Sequence, residues 1–190
     1  MNALRTALTL AALASASAPA TLLGQAAEPT PFHARQWGAD FTIIGGFTGA
    51  GFIHFRNPTH AMVADLGVGI QSTTPSGGGP GTNTMSATLR LGMRRYRPLT
   101  RGVLGFGTLG IDVTHTHQFR GGPGPLSSNG WGGSIFGNVG ASWLVTPHLG
   151  IGADWGVTVG YVHETGPLAN VDRQWTVGLG QLQLTGQLYF

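Results

Sequence analysis

The sequence predicts an all-β fold: a closed antiparallel up-and-down transmembrane β-barrel, with eight strands expected. Three observations predict it. Apolar residues recur at every second position over long segments, as in strands with two unlike faces. Charged residues make up only 9% of the chain while 33 of 190 residues are glycine, which is poor material for a solvated surface. No run of roughly 18 or more apolar residues follows the N-terminus, so a membrane crossing would have to be made by strands. The length corresponds to one domain.

The chain opens with Arg5, an apolar stretch from Ala7 to Ala14, and then small residues in A-x-A spacings around Ala20 and Ala26. This is the layout of a secretory signal peptide. The expected organisation is a signal over residues 1–26, cleaved near 20–26, a linker over 27–35 and the barrel over 36–190.

The first segment, Gln36–Phe55, carries its apolar residues at odd positions: Trp37, Phe41, Ile43, Phe47, Ile53 and Phe55. It is long enough to fold back near Gly45-Gly46 into two strands. The unbroken odd phase would then require a three-residue loop. The second segment alternates from Met62 to Ile70, the third from Met85 to Met93, and the fourth from Val103 to Val113. The fifth runs from Trp131 to Val145 and the sixth from Leu149 to Tyr161. The seventh runs from Trp175 to Phe190, its phase slipping by one near Gly180, where a β-bulge would absorb the extra residue. Seven segments are visible. A fold-back in the first gives eight, in keeping with the even strand number of bacterial single-chain barrels.

The segments are about 10–14 residues long, against the roughly 9–11 tilted residues that cross a bilayer and the 5–6 of an ordinary strand. Their connections alternate in kind. "RNPTH" (56–60), "RRYRPLTRG" (94–102) and "VTPHL" (145–149) are short; Ser72–Asn83, Phe119–Gly130 and Glu164–Arg173 are longer and mostly Gly- and Pro-rich. Short turns at one end and long loops at the other is the outer-membrane pattern, which puts the Pro turns and clustered arginines on the periplasmic side.

The apolar face is read as facing lipid. Trp37, Phe55, Trp131, Trp143, Tyr161 and Trp175 fall near segment ends and form the expected aromatic girdle. Trp131 and Trp143 would lie roughly 40 Å apart along a strand, or about 30 Å along the normal at the usual tilt. The opposite face carries Asp40, Asp65, Arg90, Arg94, Asp112 and Asp154. An eight-stranded barrel is just wide enough for side chains to fill it, and buried charges must be paired. These six residues are therefore the expected lumen charge network, with Arg90 paired to one or more aspartates.

The last residues, "QLQLTGQLYF", alternate to a terminal aromatic ring. In a closed barrel the last strand pairs with the first, so the chain stops inside the wall. With the export signal and the alternating strands, this resembles the small outer-membrane β-barrel proteins of the OmpA-like or OmpX-like eight-stranded type, over residues 36–190. The resemblance implies residence in the bacterial outer membrane, with outer-membrane lipid as a partner. It also implies recognition by the barrel-assembly machinery through Gly186, Leu188 and Phe190, although the usual glycine sits one place earlier.

Other chemistry is thinly represented. Cysteine is absent, which excludes disulfides and thiolate chemistry. All ten basic residues are arginine and no dense basic stripe occurs, which argues against nucleic acid as a partner. "HTH" (His115–His117) puts two imidazoles on one strand face without further ligands in view. His163-Glu164 and Ser127-Ser128 are the candidates for hydrolytic chemistry, without a recognisable triad order. "GFTGAG" (46–51) lacks the Lys-Ser/Thr of a phosphate loop. No catalytic, metal or cofactor site is expected. The expected function is a structural or surface-interacting outer-membrane barrel. The alternatives are a soluble secreted barrel binding a small hydrophobic ligand and an outer-membrane lipid-modifying enzyme.

Overall fold

A computed structural model describes residues 30–44, 47–74, 81–122, 124, 126–168, 173–180 and 182–190. The expected signal segment, the Gly45-Gly46 turn and the tips of the longer loops lie outside the described residues. The strands are β1 (Trp37–Ile44), β2 (Phe47–Asn57), β3 (His60–Thr73), β4 (Thr82–Thr100), β5 (Val103–Arg120), β6 (Leu126–Thr146), β7 (Leu149–Thr165), β8 (Arg173–Leu179) and β9 (Gln183–Tyr189).

Each strand pairs antiparallel with its neighbour, and the sheet closes on itself. Both β8 and β9 pair with β7: β8 with Val157–His163, β9 with Leu149–Asp154. They are two halves of one wall position, so the ring has eight positions. The break falls where the sequence loses phase: Trp175, Val177 and Leu179 face outward before it, and Leu182, Leu184 and Leu188 after it. Pairing of Gly38–Ile43 with Leu184–Tyr189 completes the cylinder.

The first hairpin corrects the sequence reading. Ile44 pairs with Phe47, so only Gly45 and Gly46 connect β1 to β2. A two-residue connection moves the outward set from odd to even positions. Trp37, Phe41 and Ile43 are exposed on β1, whereas on β2 Phe52 is exposed and Ile53 and Phe55 are fully buried. Phe55 is therefore an interior residue, not part of the outer aromatic girdle.

Strands β4 to β7 run for 17–21 residues, longer than their alternating segments suggested. Residues read as loop (Thr82, Asn83, Phe119, Arg120, Leu126–Gly130) are strand, because hairpin hydrogen bonding continues beyond the apolar band.

The three hairpins at the short-turn end share one design. Each has a two-residue turn (Pro58-Thr59, Arg101-Gly102, Pro147-His148) preceded by a register shift that leaves Arg56, Leu99 or Val145 unpaired. Asn57 fixes the first turn by accepting hydrogen bonds from the backbone N–H groups of Thr59 at 3.0 Å and His60 at 2.9 Å. Gly102 supplies the positive φ (73°) that the second requires.

Inside this end lies an aromatic floor. Phe32, Phe55, Tyr96, Phe106 and Tyr189 pack with Ile53, Ala61, Val63 and Leu104. Phe32 comes from the segment ahead of β1, expected to be a linker. Its ring is 4.3 Å from Phe55, 4.6 Å from Tyr189 and 5.2 Å from Tyr96. The segment is held by Thr30 donating to the Pro58 carbonyl at 2.6 Å and by two backbone bonds to Phe55, from Arg35 N–H at 2.8 Å and to the Gln36 carbonyl at 2.9 Å.

Because Phe32 is the keystone of this floor, Phe32→Ala is expected to lower the free energy of unfolding by roughly 3 kcal/mol, the usual cost of emptying a buried phenylalanine site. Urea titration of the folded protein checks it; a loss below about 1 kcal/mol, within the scatter of surface substitutions, would mean the ring does not seal the base.

Candidate functional site

The barrel interior is where the sequence places its charge. Inward residues line up across seven strands: Gln187, Asp40, Gly51, Asp65, Arg90, Asp112 and Ser134 are successive direct neighbours in the registers from β9 through β6. An Arg90 guanidinium nitrogen lies 3.5 Å from a carboxylate oxygen of Asp112, and the guanidinium sits 4.3 Å over the Phe136 ring. Asp112 also accepts a short hydrogen bond from the Ser134 hydroxyl.

A second, deeper pair rests on the aromatic floor. Arg94 Nη1 donates to Asp40 Oδ2 at 3.0 Å, Arg94 Nε donates to Thr108 Oγ1 at 3.0 Å, and the guanidinium is 4.6 Å from the Phe106 ring centroid. Both partners are almost fully buried, with side-chain exposures of 7% and 2%, against 23% and 10% for the Arg90–Asp112 pair. The Arg94–Asp40 pair thus sits in the lower dielectric. Asp154 accepts a hydrogen bond from Asn138 Nδ2 at 3.0 Å. Among the described residues neither Asp65 nor Asp154 forms an ion pair. Below them Gln187 Oε1 accepts from Tyr189 at 2.6 Å and from Ser142 at 2.9 Å.

Several inward glycines are covered by neighbouring side chains. The Phe136 ring lies across Gly110 and Gly92, where added Cβ atoms would come within 2.7 and 3.2 Å of it. Gly51 is the notch for Asp65: a Cβ there would collide with its carboxylate. The interior cavity lined by Thr42, Gly49, Asp65, Gly67, Thr88, Arg90 and Gln183 measures about 20 Å³, room for one water.

On the outer wall Trp37 and Trp143 lie at the short-turn end, and Trp131, Tyr161 and Trp175 toward the long-loop end. Trp131 packs against His115 with centroids 4.5 Å apart, and Tyr161 meets Trp175 edge-on at 5.5 Å. Leu188 and Phe190 are exposed, and Gly186 lies between Phe41 and Ile151 in the pairings of β9.

The chemical candidates do not converge. His163 is opposite Trp131 and Glu164 opposite Gly130, so consecutive side chains leave β7 on opposite faces. The buried Ser128 hydroxyl accepts from the backbone of Leu168 at 2.6 Å. His117 is bonded to Asn129 at 2.9 Å, and no group of three or more potential metal ligands occurs among the described residues.

Sequence reasoning missed the floor. Its signal was present: Tyr96, Phe106 and Tyr189 are large apolar residues in the phase otherwise occupied by Gly, Thr, Ser and charge.

No protein-family profile matches this sequence, and no curated protein does. Solved structures do. A major outer membrane protein from Thermus thermophilus is 15% identical, with 83% of this chain and 100% of that one covered at a TM-score of 0.53. CarO2 of Acinetobacter baumannii is 13% identical (84% and 100% covered, TM-score 0.41). Ail, the attachment invasion locus protein of Yersinia pestis, is 10% identical (82% and 94% covered, TM-score 0.42). The likeness to the Thermus protein shows a shared fold, that of the small outer-membrane β-barrels.

Removing one member of the deep ion pair leaves the other charge buried and unpaired. Arg94→Met is therefore expected to cost roughly 3–5 kcal/mol, and Asp40→Asn/Arg94→Met to recover part of it. Arg90→Met, at the wetter and longer pair, should cost less. Equilibrium unfolding of the wild type, Asp40→Asn, Arg94→Met and the double variant measures the coupling, with Arg90→Met run alongside; equal losses for Arg90→Met and Arg94→Met would contradict the assignment of the deeper pair.

Proposed function

We propose that this chain is an integral protein of the bacterial outer membrane, structural or surface-interacting and not enzymatic. The observation that carries the reading is the inverted distribution of polarity. Large apolar side chains, among them Phe41, Leu66, Ile70, Leu89, Ile111, Ile135, Ile151 and Leu184, are exposed on the outer wall of every strand position. The ion pairs are inside. A hydrocarbon environment suits that wall, and pairing of β1 with β9 removes the edge that the first and last strands would otherwise present, where each orphaned N–H or C=O would cost several kcal/mol in lipid.

The two alternatives fare worse. A soluble barrel that carries a hydrophobic ligand needs an apolar interior of roughly 300 Å³ or more. This interior is polar above the floor and filled by Phe136, Arg90 and Arg94. A lipid-modifying enzyme needs its nucleophile, base and acid in one place, and His163 and Glu164 project to opposite sides of the wall. A filled lumen also favours a structural or surface role over conduction. Outer-membrane lipid would contact the apolar wall, and the assembly machinery would meet the strand that bears Gly186, Leu188 and Phe190.

The test is membrane partition with heat-modifiability. The protein is expected in the outer-membrane fraction, extractable only by detergent, with different gel mobilities for unboiled and boiled samples. Recovery as a soluble periplasmic protein without a mobility shift would overturn the reading.

A further inference from the structure

The exposed arginines are concentrated at one end of the barrel. Of the ten in the chain, Arg35, Arg56, Arg95, Arg97 and Arg101 surround the short-turn end and all five are exposed. The described carboxylates are elsewhere: Asp40, Asp65, Asp112 and Asp154 lie in the interior, and Glu164 is at the far end of β7. This rim therefore carries positive charge without a compensating Asp or Glu side chain among the described residues.

The rim is ordered. Arg56 is the unpaired residue of the β2–β3 hairpin. Arg95 opens the register of β4 with β3, directly opposite His60, and Arg97 lies two residues further along the same face. Two residues along a strand are about 7 Å apart, so Arg95 and Arg97 can grip one headgroup between them. One step above lies the apolar Met62–Met93 pair of the outer wall, beside Trp37, whose ring is tilted against that of His54 with centroids 4.4 Å apart. None of Arg56, Arg95 and Arg97 forms an ion pair among the described residues. Each can therefore offer a planar, bidentate donor set, which suits phosphate oxygens.

We infer that this rim binds the phosphate headgroups of anionic phospholipids, with Arg95 and Arg97 as the principal donors and Arg56 beside them. The inference rests on the membrane-barrel reading and specifies which lipid borders the short-turn end. Charge complementarity selects an anionic lipid over a zwitterionic one. Short turns mark the periplasmic side of such barrels, which selects a phospholipid over the glycolipid of the opposite leaflet.

The experiment compares lipids retained by the whole protein in mild detergent after exposure to an equal mixture of phosphatidylglycerol and phosphatidylcholine, read by native mass spectrometry. The wild type is expected to retain phosphatidylglycerol over phosphatidylcholine by about fivefold or more, the scale of one cation near an anionic surface. Arg95→Gln/Arg97→Gln is expected to bring the ratio near one, while Arg120→Gln/Arg173→Gln, at the other end, keeps it. An unselective wild type, or a ratio unchanged in Arg95→Gln/Arg97→Gln, overturns the inference. Preferential capture of lipid A over phosphatidylglycerol overturns the choice of phospholipid. Each protein is also run boiled and unboiled. A mobility shift without lipid preference sinks this inference alone, whereas no shift in the wild type sinks the membrane-barrel reading as well.

Discussion

The hydrogen bonds between Gly38–Ile43 on β1 and Leu184–Tyr189 on β9 close the sheet, and the other features of the molecule depend on that closure. An open sheet of this length would present two rows of unpaired backbone groups, which neither hydrocarbon nor a soluble monomer accommodates well. Once the ends meet, every strand has a convex and a concave side, and the two sides face different media. The convex side is wide and carries the apolar set. The concave side is narrow and must be filled by whatever the alternate positions supply. Phe190 and Trp37, which exchange backbone hydrogen bonds at 2.9 and 3.2 Å, belong to the seam that makes this possible.

Filling a narrow cylinder explains the interior chemistry. Large side chains cannot stand opposite one another in it, so they lie across glycines on adjacent strands, as Phe136 does over Gly110 and Gly92. Charges that enter this space must be matched where they are. Arg94 and Asp40 are the most deeply buried pair and have the shorter distance and the additional Thr108 partner. Arg90 and Asp112, nearer the open end, keep a looser contact. Burial and geometry thus change together, as expected when desolvation must be offset by hydrogen bonds.

Much of this was legible in the sequence because strand periodicity is local. From Met62 to Tyr161 the alternation alone places the outward residues correctly, and the phase slip at Gly180 marks the division between β8 and β9. The first hairpin was misread because parity there depends on one number, the length of the turn. Gly45 and Gly46 sit inside an unbroken odd-position pattern, so the apolar residues Ile53 and Phe55 looked continuous with Phe41 and Ile43 although they face the other way. The pairing of particular charges was not legible, because register across strands is a tertiary property. Arg90 was the natural candidate for the buried ion pair, yet the deeper one belongs to Arg94, which alternation places in the same interior network although it also opens the arginine cluster of the turn. Phe32 was hidden for a similar reason: it has no strand periodicity and acquires its role only when its segment crosses the base.

The two ends of the cylinder consequently do different work. At the short-turn end the Phe32 segment, three bulged hairpins, the chain's last residues and the aromatic floor all interlock, and the backbone of Tyr189 is tied to His148 by both N–H and C=O. Cooperative units of high local stability are built in this way, from buried apolar contacts and shielded backbone bonds. At the opposite end β4 to β7 extend as long hairpins beyond the apolar wall, and the eighth wall position is interrupted where Gly180 meets the backbone of Gly156 too closely to admit a side chain. Interrupting that wall position costs hydrogen bonds, but β7 retains partners on both sides of the break through β8 and β9. The break separates the registers of the two halves, and the β9 half, paired with both β7 and β1, is the one that closes the ring. The long-loop end is thereby set apart from the seam, whose β1–β9 pairing lies at the opposite end of the cylinder.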